Sequence, residues 1–160
     1  VNADKLAVYE VPYMVEDYMI TGWQDYRKQL DAALAADDRD QALQLFMRLA
    51  GSSDEDVEGA KQSEYWPGML KVAPTLAYDA ACLGDGRVPV ERLTAITQPT
   101  LVLTGTIMAE EMGELQPSFF ADAAKMVSEN IPHVEHRVLE GQSHIVGSSA
   151  LAKALNEFFN

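Results

Sequence analysis

Apolar residues recur along this chain with two different periods, and the change of period divides it. Near the start, Lys5-Leu6-Ala7-Val8-Tyr9-Glu10-Val11 is a short run rich in β-formers and halted by Pro12, which predicts a buried strand with Glu10 at its end. A long helical region follows. Tyr26, Leu30 and Leu34 recur at four-residue steps, and Leu43, Phe46, Met47 and Ala50 share one face at i, i+3, i+4 and i+7, so two amphipathic helices are expected. Ser52-Ser53-Asp54-Glu55 predicts the start of a third: a serine oxygen accepts an orphan amide and Glu55, three residues on, bonds back. Trp66-Pro67-Gly68 opens a fourth, with Met69, Ala73, Leu76 and Ala80 on its buried face, a kink at Pro74 and a stop at Gly84-Asp85-Gly86.

The pattern then alternates. Pro99-Thr100-Leu101-Val102-Leu103-Thr104-Gly105 predicts a buried strand, and after an acidic loop comes a helix with Phe120, Ala123, Ala124 and Val127 on its face. From His133 to Leu139 the period is two, placing Val134, His136 and Val138 on one side and Glu135, Arg137 and Leu139 on the other. A loop over 140–147 leads to a last helix, capped by Ser148 or Ser149, with Leu151, Ala154, Leu155 and Phe158 as its stripe. Strand, helical insert, strand, helix, strand, helix is the grammar of a parallel sheet with helical crossovers.

Composition narrows the function. The 160 residues carry 12 Lys+Arg against 25 Asp+Glu, a formal net charge of −13, and 48% are hydrophobic, which suits one domain of ordinary size. So negative a chain repels phosphate backbones and anionic lipid, so neither nucleic acid nor a membrane surface is an expected partner. Apolar stretches fall far short of the roughly 20 residues that a membrane-crossing helix requires. The single Cys82 excludes an internal disulfide framework and a cysteine-built zinc site, and a reducing, cytoplasmic compartment is the expectation. Val1-Asn2-Ala3-Asp4-Lys5 has neither an initiator Met nor a signal pattern, so the chain is expected to begin within a longer protein.

Few residues are placed to do chemistry. His144, in Gly141-Gln142-Ser143-His144, lies just beyond the carboxyl end of a predicted strand, where ligands bind in open α/β sheets; it is either a general base or a solvent-facing turn residue. Glu10 ends an apolar strand, and its carboxylate either reaches water at the rim or meets a donor such as an imidazole N–H. Glu110, Glu111 and Glu114 read first as a solvated loop. His133 and His136 lie three apart on one strand, hence on opposite faces, so neither a shared metal nor any other cofactor is expected. Cys82 reads as filler on a helix. No Gly-x-Ser-x-Gly occurs, so no nucleophile elbow is present in these residues.

Three passages together resemble the carboxyl-terminal part of an α/β-hydrolase fold protein. Leu6-Ala7-Val8-Tyr9-Glu10-Val11-Pro12-Tyr13 is similar to the strand after the nucleophile helix. Ile96-Thr97-Gln98-Pro99-Thr100-Leu101-Val102-Leu103-Thr104-Gly105 is similar to the penultimate strand. Ile131-Pro132 through Leu139-Glu140-Gly141-Gln142-Ser143-His144 is similar to the last strand and the loop bearing the catalytic histidine, and a final helix ending Phe158-Phe159 fits as well.

The resemblance implies three neighbouring parallel strands of such a sheet, with residues 1–16 and 93–160 as core and 17–92 as an inserted helical lid. It implies His144 as base. In the family the acid most often follows the penultimate strand, but Gly105-Thr106-Ile107-Met108 offers no carboxylate there. In some members it ends the preceding strand, which favours Glu10 over Glu110 or Glu111. Phe46, Trp66, Met69 and Tyr78 are the lid's candidates to line a substrate pocket, although at helical spacing each is more often ordinary packing. The implied activity is hydrolysis of an ester, lactone or similar small neutral substrate, with the nucleophile and oxyanion donors outside the chain and the chain inactive alone. The alternative is a non-catalytic binding module on the same fold. The Glu10 strand should present a long apolar edge to a partner, either the amino-terminal portion of the same protein or a second copy of this chain.

Overall fold

The computed structural model describes residues 3–107, 112–113 and 115–160. Their elements, in order, are strand β1 (Leu6–Tyr9), helices α1 (Asp17–Ala35), α2 (Arg39–Leu49), α3 (Asp54–Lys61), α4 (Trp66–Val72), α5 (Leu76–Leu83) and α6 (Val90–Thr94), strand β2 (Thr100–Gly105), helix α7 (Phe119–Glu129), strand β3 (Val134–Leu139) and helix α8 (Ser148–Phe159). They form two compact units. One comprises residues 3–15, 88–107 and 117–160, and the other residues 16–87 with 112–113 and 115–116.

The first unit is a parallel sheet in the order β1-β2-β3. Leu6 to Tyr9 register against Thr100 to Leu103, and Thr100 to Gly105 against Val134 to Leu139. Parallel pairing requires a long crossover between strands; the helical segment supplies the first and α7 the second. Thr100 to Thr104 are all buried, because both faces of β2 are covered, and for that reason β2 reads in sequence as a continuous apolar run. On one face Val8, Val102 and Val134 pack with Val88, Leu93, Ala124, Val127 and Ile131. On the other, Ala7, Tyr9, Leu101, Leu103 and Leu139 pack with Leu151, Ala154, Leu155 and Phe158 of α8. Fully buried leucines such as Leu101 and Leu103 each contribute about 1.5–3 kcal/mol relative to exposure. Val88 and Leu93 sit in this core, so residues 88–92 pack with the sheet although the sequence alone joins them to the helical insert. β1 is an edge strand of only four residues, all half-buried, which is shorter than the long edge expected from the sequence.

The second unit is helical, and its helices bury part of the stripe that each spacing supplies. α1 buries Ile20, Trp23, Tyr26, Leu30 and Ala33, and α2 buries Ala42 and Leu43. Phe46, expected on that face, stays exposed at its margin. The fourth predicted helix breaks where Pro74 removes a backbone donor, giving α4, one 3₁₀ turn over Ala73–Thr75, and α5. α5 ends at Gly84, whose φ of 60° suits glycine and whose carbonyl accepts both the Trp23 indole N–H and an Arg27 guanidinium N–H.

Two caps differ from expectation by a residue. The capping box of α3 is Ser53 with Asp56, not Ser52 with Glu55, and the Ser53 hydrogen bonds hold the Asp56 carboxyl below its ordinary range. α8 starts from Gly147 without a side-chain cap, in place of Ser148 or Ser149. Cys82 is also a correction: it is exposed, because α5 turns Leu76 and Ala80 inward and a residue two beyond Ala80 faces away.

Tyr26, whose ring is tilted against Trp23 with centroids 5.4 Å apart, has its phenol pushed up to about 12, first by burial and then by the charge of Asp79. Between pH 10 and 12 the folded chain therefore keeps a proton that the unfolded chain has lost, so stability is fully present below pH 10 and declines as pH rises through that window. Tyr26→Phe is expected to flatten this alkaline decline, read as the urea midpoint at successive pH values. An unchanged decline would show that Tyr26 is not its source.

Candidate active site

The carboxyl ends of the three strands share one rim, and the sheet's only buried carboxylate among the described residues stands there. Glu10 follows β1 directly and is 4% exposed. Its backbone adopts φ 47°, in the left-handed region that costs an ordinary residue about 1–3 kcal/mol and persists only where neighbours over-determine it. Three hydrogen bonds do so here. The Glu10 N–H donates to the Leu103 carbonyl (2.9 Å), Oε1 accepts the Gly105 N–H (2.9 Å), and Oε2 lies 2.8 Å from Nδ1 of His144.

His144 comes from the loop between β3 and α8, and that loop is fastened to β2 and β1. The Gln142 carbonyl accepts the N–H groups of Thr106 (2.9 Å) and Ile107 (3.0 Å), while the Thr106 hydroxyl oxygen accepts the Gly141 N–H (2.8 Å). The Gln142 side chain accepts the Gly147 N–H (2.9 Å), and the Tyr9 hydroxyl donates to the Ser143 carbonyl (2.5 Å). Gly105 makes this approach possible. A Cβ there would fall 2.1 Å from the Gln142 oxygen and 2.9 Å from the Tyr9 hydroxyl, so only glycine admits the loop.

The imidazole lies flat on Phe120 of α7, with centroids 4.8 Å apart and planes 8° from parallel. A carboxylate at Nδ1 selects the tautomer protonated there, leaving the Nε2 lone pair free to accept a proton. Nε2 has no hydrogen-bond partner among the described residues, and the side chain is 43% exposed. A cavity of about 260 Å³ opens beside Glu10, lined in part by Thr104, Phe120, His136 and Val138.

Of the residues singled out from sequence, Glu10 and His144 are thus brought together. His136 places Nε2 3.4 Å from the Thr104 hydroxyl, and among the described residues no three His, Cys, Asp or Glu side chains cluster as metal ligands. Glu110, Glu111 and Glu114 lie outside the described residues. In the helical unit, Trp66 is buried and donates its indole N–H to Asp40, Met69 is half-buried, and Phe46 and Tyr78 are exposed. Sequence reasoning missed Tyr9, Gly105, Phe120 and Gln142 as members of the site. Gly105 alone carried a signal, as a glycine closing an otherwise apolar strand.

No protein-family profile and no curated protein matches the chain. Among solved structures it is similar to a crystal structure of an α/β hydrolase from Sphaerobacter thermophilus, at 36% identity and a TM-score of 0.75, over 98% of this chain and 58% of that one. The chain therefore spans rather more than half the length of the protein it matches. Among the described residues no helix is long and apolar enough to cross a membrane. A parallel sheet in this order, together with that identity over nearly the whole chain, identifies the chain as part of an α/β-hydrolase fold.

Proposed function

We propose that this chain supplies the acid–base half of a hydrolytic site, with His144 as general base and Glu10 as the acid that orients it. The observation that carries the reading is the 2.8 Å contact between His144 Nδ1 and the buried Glu10 carboxylate. In the reaction, Nε2 takes the proton of a nucleophile as it attacks the substrate carbonyl and returns it to the leaving group, while Glu10 stabilises the imidazolium formed in between. A buried carboxylate held by a backbone N–H and an imidazole is costly to assemble for packing alone. This favours the enzyme over the non-catalytic module.

The 160 residues contain no Gly-x-Ser-x-Gly, so the nucleophile in this reading comes from outside them, either from a preceding portion of the same protein or from a second chain meeting the β1 edge. The substrate is a small neutral ester, lactone or similar carbonyl compound. Of the lid candidates, Phe46 and Tyr78 are exposed, Met69 is half-buried, and Trp66 is engaged in packing.

The test is an assay of the purified chain on activated short-chain esters. No turnover is expected, because the loss of even one oxyanion donor lowers rates by about 10²–10³. Turnover abolished by His144→Ala would place a nucleophile within these residues and overturn the division of labour. In a longer chain that supplies the nucleophile, His144→Ala should lower kcat by about 10²–10⁴.

A further inference from the structure

We propose that Tyr9 is a positioning residue for His144, acting through the Ser143 carbonyl. The inference rests on the reading of Glu10 and His144 as acid and base. Two cross-links tie the end of β1 to the loop, and they run in step: Tyr9 to Ser143 and Glu10 to His144, consecutive residues bonded to consecutive residues. The carboxylate holds the imidazole by its edge. The phenol holds the carbonyl of the peptide that joins Ser143 to His144, and so holds the backbone from which the imidazole hangs.

The Gln142 bonds fasten the loop before Ser143, but the Ser143–His144 peptide beyond them is free to drift if the Glu10 bond alone holds it, and an ångström of drift at a catalytic group is enough to cost much of its effect. The second bond removes that freedom. Its donor is well placed, because Tyr9 packs against the buried cluster of Leu101, Leu103 and Ala154, so the position of the hydroxyl is set by the core. Gly105 leaves room for that hydroxyl, which lies 2.9 Å from where a Cβ would stand. Burial, and then the charge of Glu10, push the phenol up to about 12, so it remains a donor at every pH where an imidazole works as a base.

Tyr9→Phe keeps the ring in its cluster and deletes the hydroxyl alone. In the 160-residue chain, nitrogen-15 NMR reads the His144 Nδ1 proton, which is protected from solvent while it is donated to Glu10. Tyr9→Phe is expected to speed exchange of that proton by about tenfold, the loss of one well-placed hydrogen bond, while the Thr106 and Ile107 amides bound to Gln142 exchange as before. Unchanged Nδ1 exchange would overturn the inference, and so would a general speeding that includes those amides, since that marks a merely structural role.

Glu10→Ala, which leaves no side-chain acceptor, separates this from the reading beneath it. If Glu10→Ala abolishes the protected proton and Tyr9→Phe does not disturb it, the acid–base pair stands and the positioning role falls. If Glu10→Ala leaves the proton protected, both fall. Should Tyr9→Phe fail to fold, the unmodified chain decides: the Tyr9 phenolic proton should appear as a slowly exchanging resonance with Overhauser contacts to Ser143 or His144, and its absence would overturn the inference.

Discussion

Gly105→Ala is expected to destabilise the sheet unit by about 3 kcal/mol and to part His144 from Glu10, for a reason confined to one methyl group. The added Cβ would meet the Gln142 carbonyl oxygen at 2.1 Å and its carbon at 2.7 Å. These are backbone atoms and cannot step aside as a side-chain tip can, so overpacking at the upper end of its usual cost is the expectation. The loop can give only by releasing the Thr106 and Ile107 N–H groups from Gln142. Ser143 and His144 follow Gln142 and would move with it. Urea denaturation measures the first effect, and the protected Nδ1 proton of His144 the second. An alanine variant with an unchanged midpoint would mean that the loop does not approach β2 as described.

The second large effect is at Glu10. Glu10→Ala leaves the Gly105 N–H without its acceptor, at about 1–3 kcal/mol for a buried donor, and deprives the partly exposed imidazole N–H of its partner. The same change removes the group that fixes the imidazole tautomer, so in a longer chain with a nucleophile kcat should fall by about 10²–10⁴. Glu10→Gly gives a sharper comparison. It loses the same bonds but accepts the φ of 47° without strain, so it should be more stable than Glu10→Ala by about 1 kcal/mol while matching it in lost activity. Equal stability of the two would show that the left-handed backbone at residue 10 is not the resting state. A normal kcat in both would remove Glu10 from the chemistry.

Much of the fold was legible because it depends on period. The run Thr100 to Thr104 is apolar on both sides since both faces of β2 are covered, and the stripe Leu151, Ala154, Leu155 and Phe158 lies against the opposite side of the sheet from Ala124 and Val127. Positions that depend on single bonds were less legible. A capping box one residue out of step, an N-cap glycine at α8 and an exposed Cys82 all turn on which neighbour a residue meets, and spacing says little about that. Phe120 illustrates the division. Its helical spacing marked it as buried, and it is, but the ring it stacks on belongs to a loop residue 24 positions later in the chain.

By itself the sequence determined which segments are strands and helices, that the strands must run parallel, and that a carboxylate and an imidazole stand at strand ends. Those follow from local periodicity and from the reach of crossover connections. Tertiary structure alone decided that Glu10 and His144 meet, because their contact joins residues 134 positions apart and depends on strand register and on a glycine that lets one backbone touch another. Distances of 2.8 Å are set by the whole packed sheet, and no local pattern in a chain encodes them.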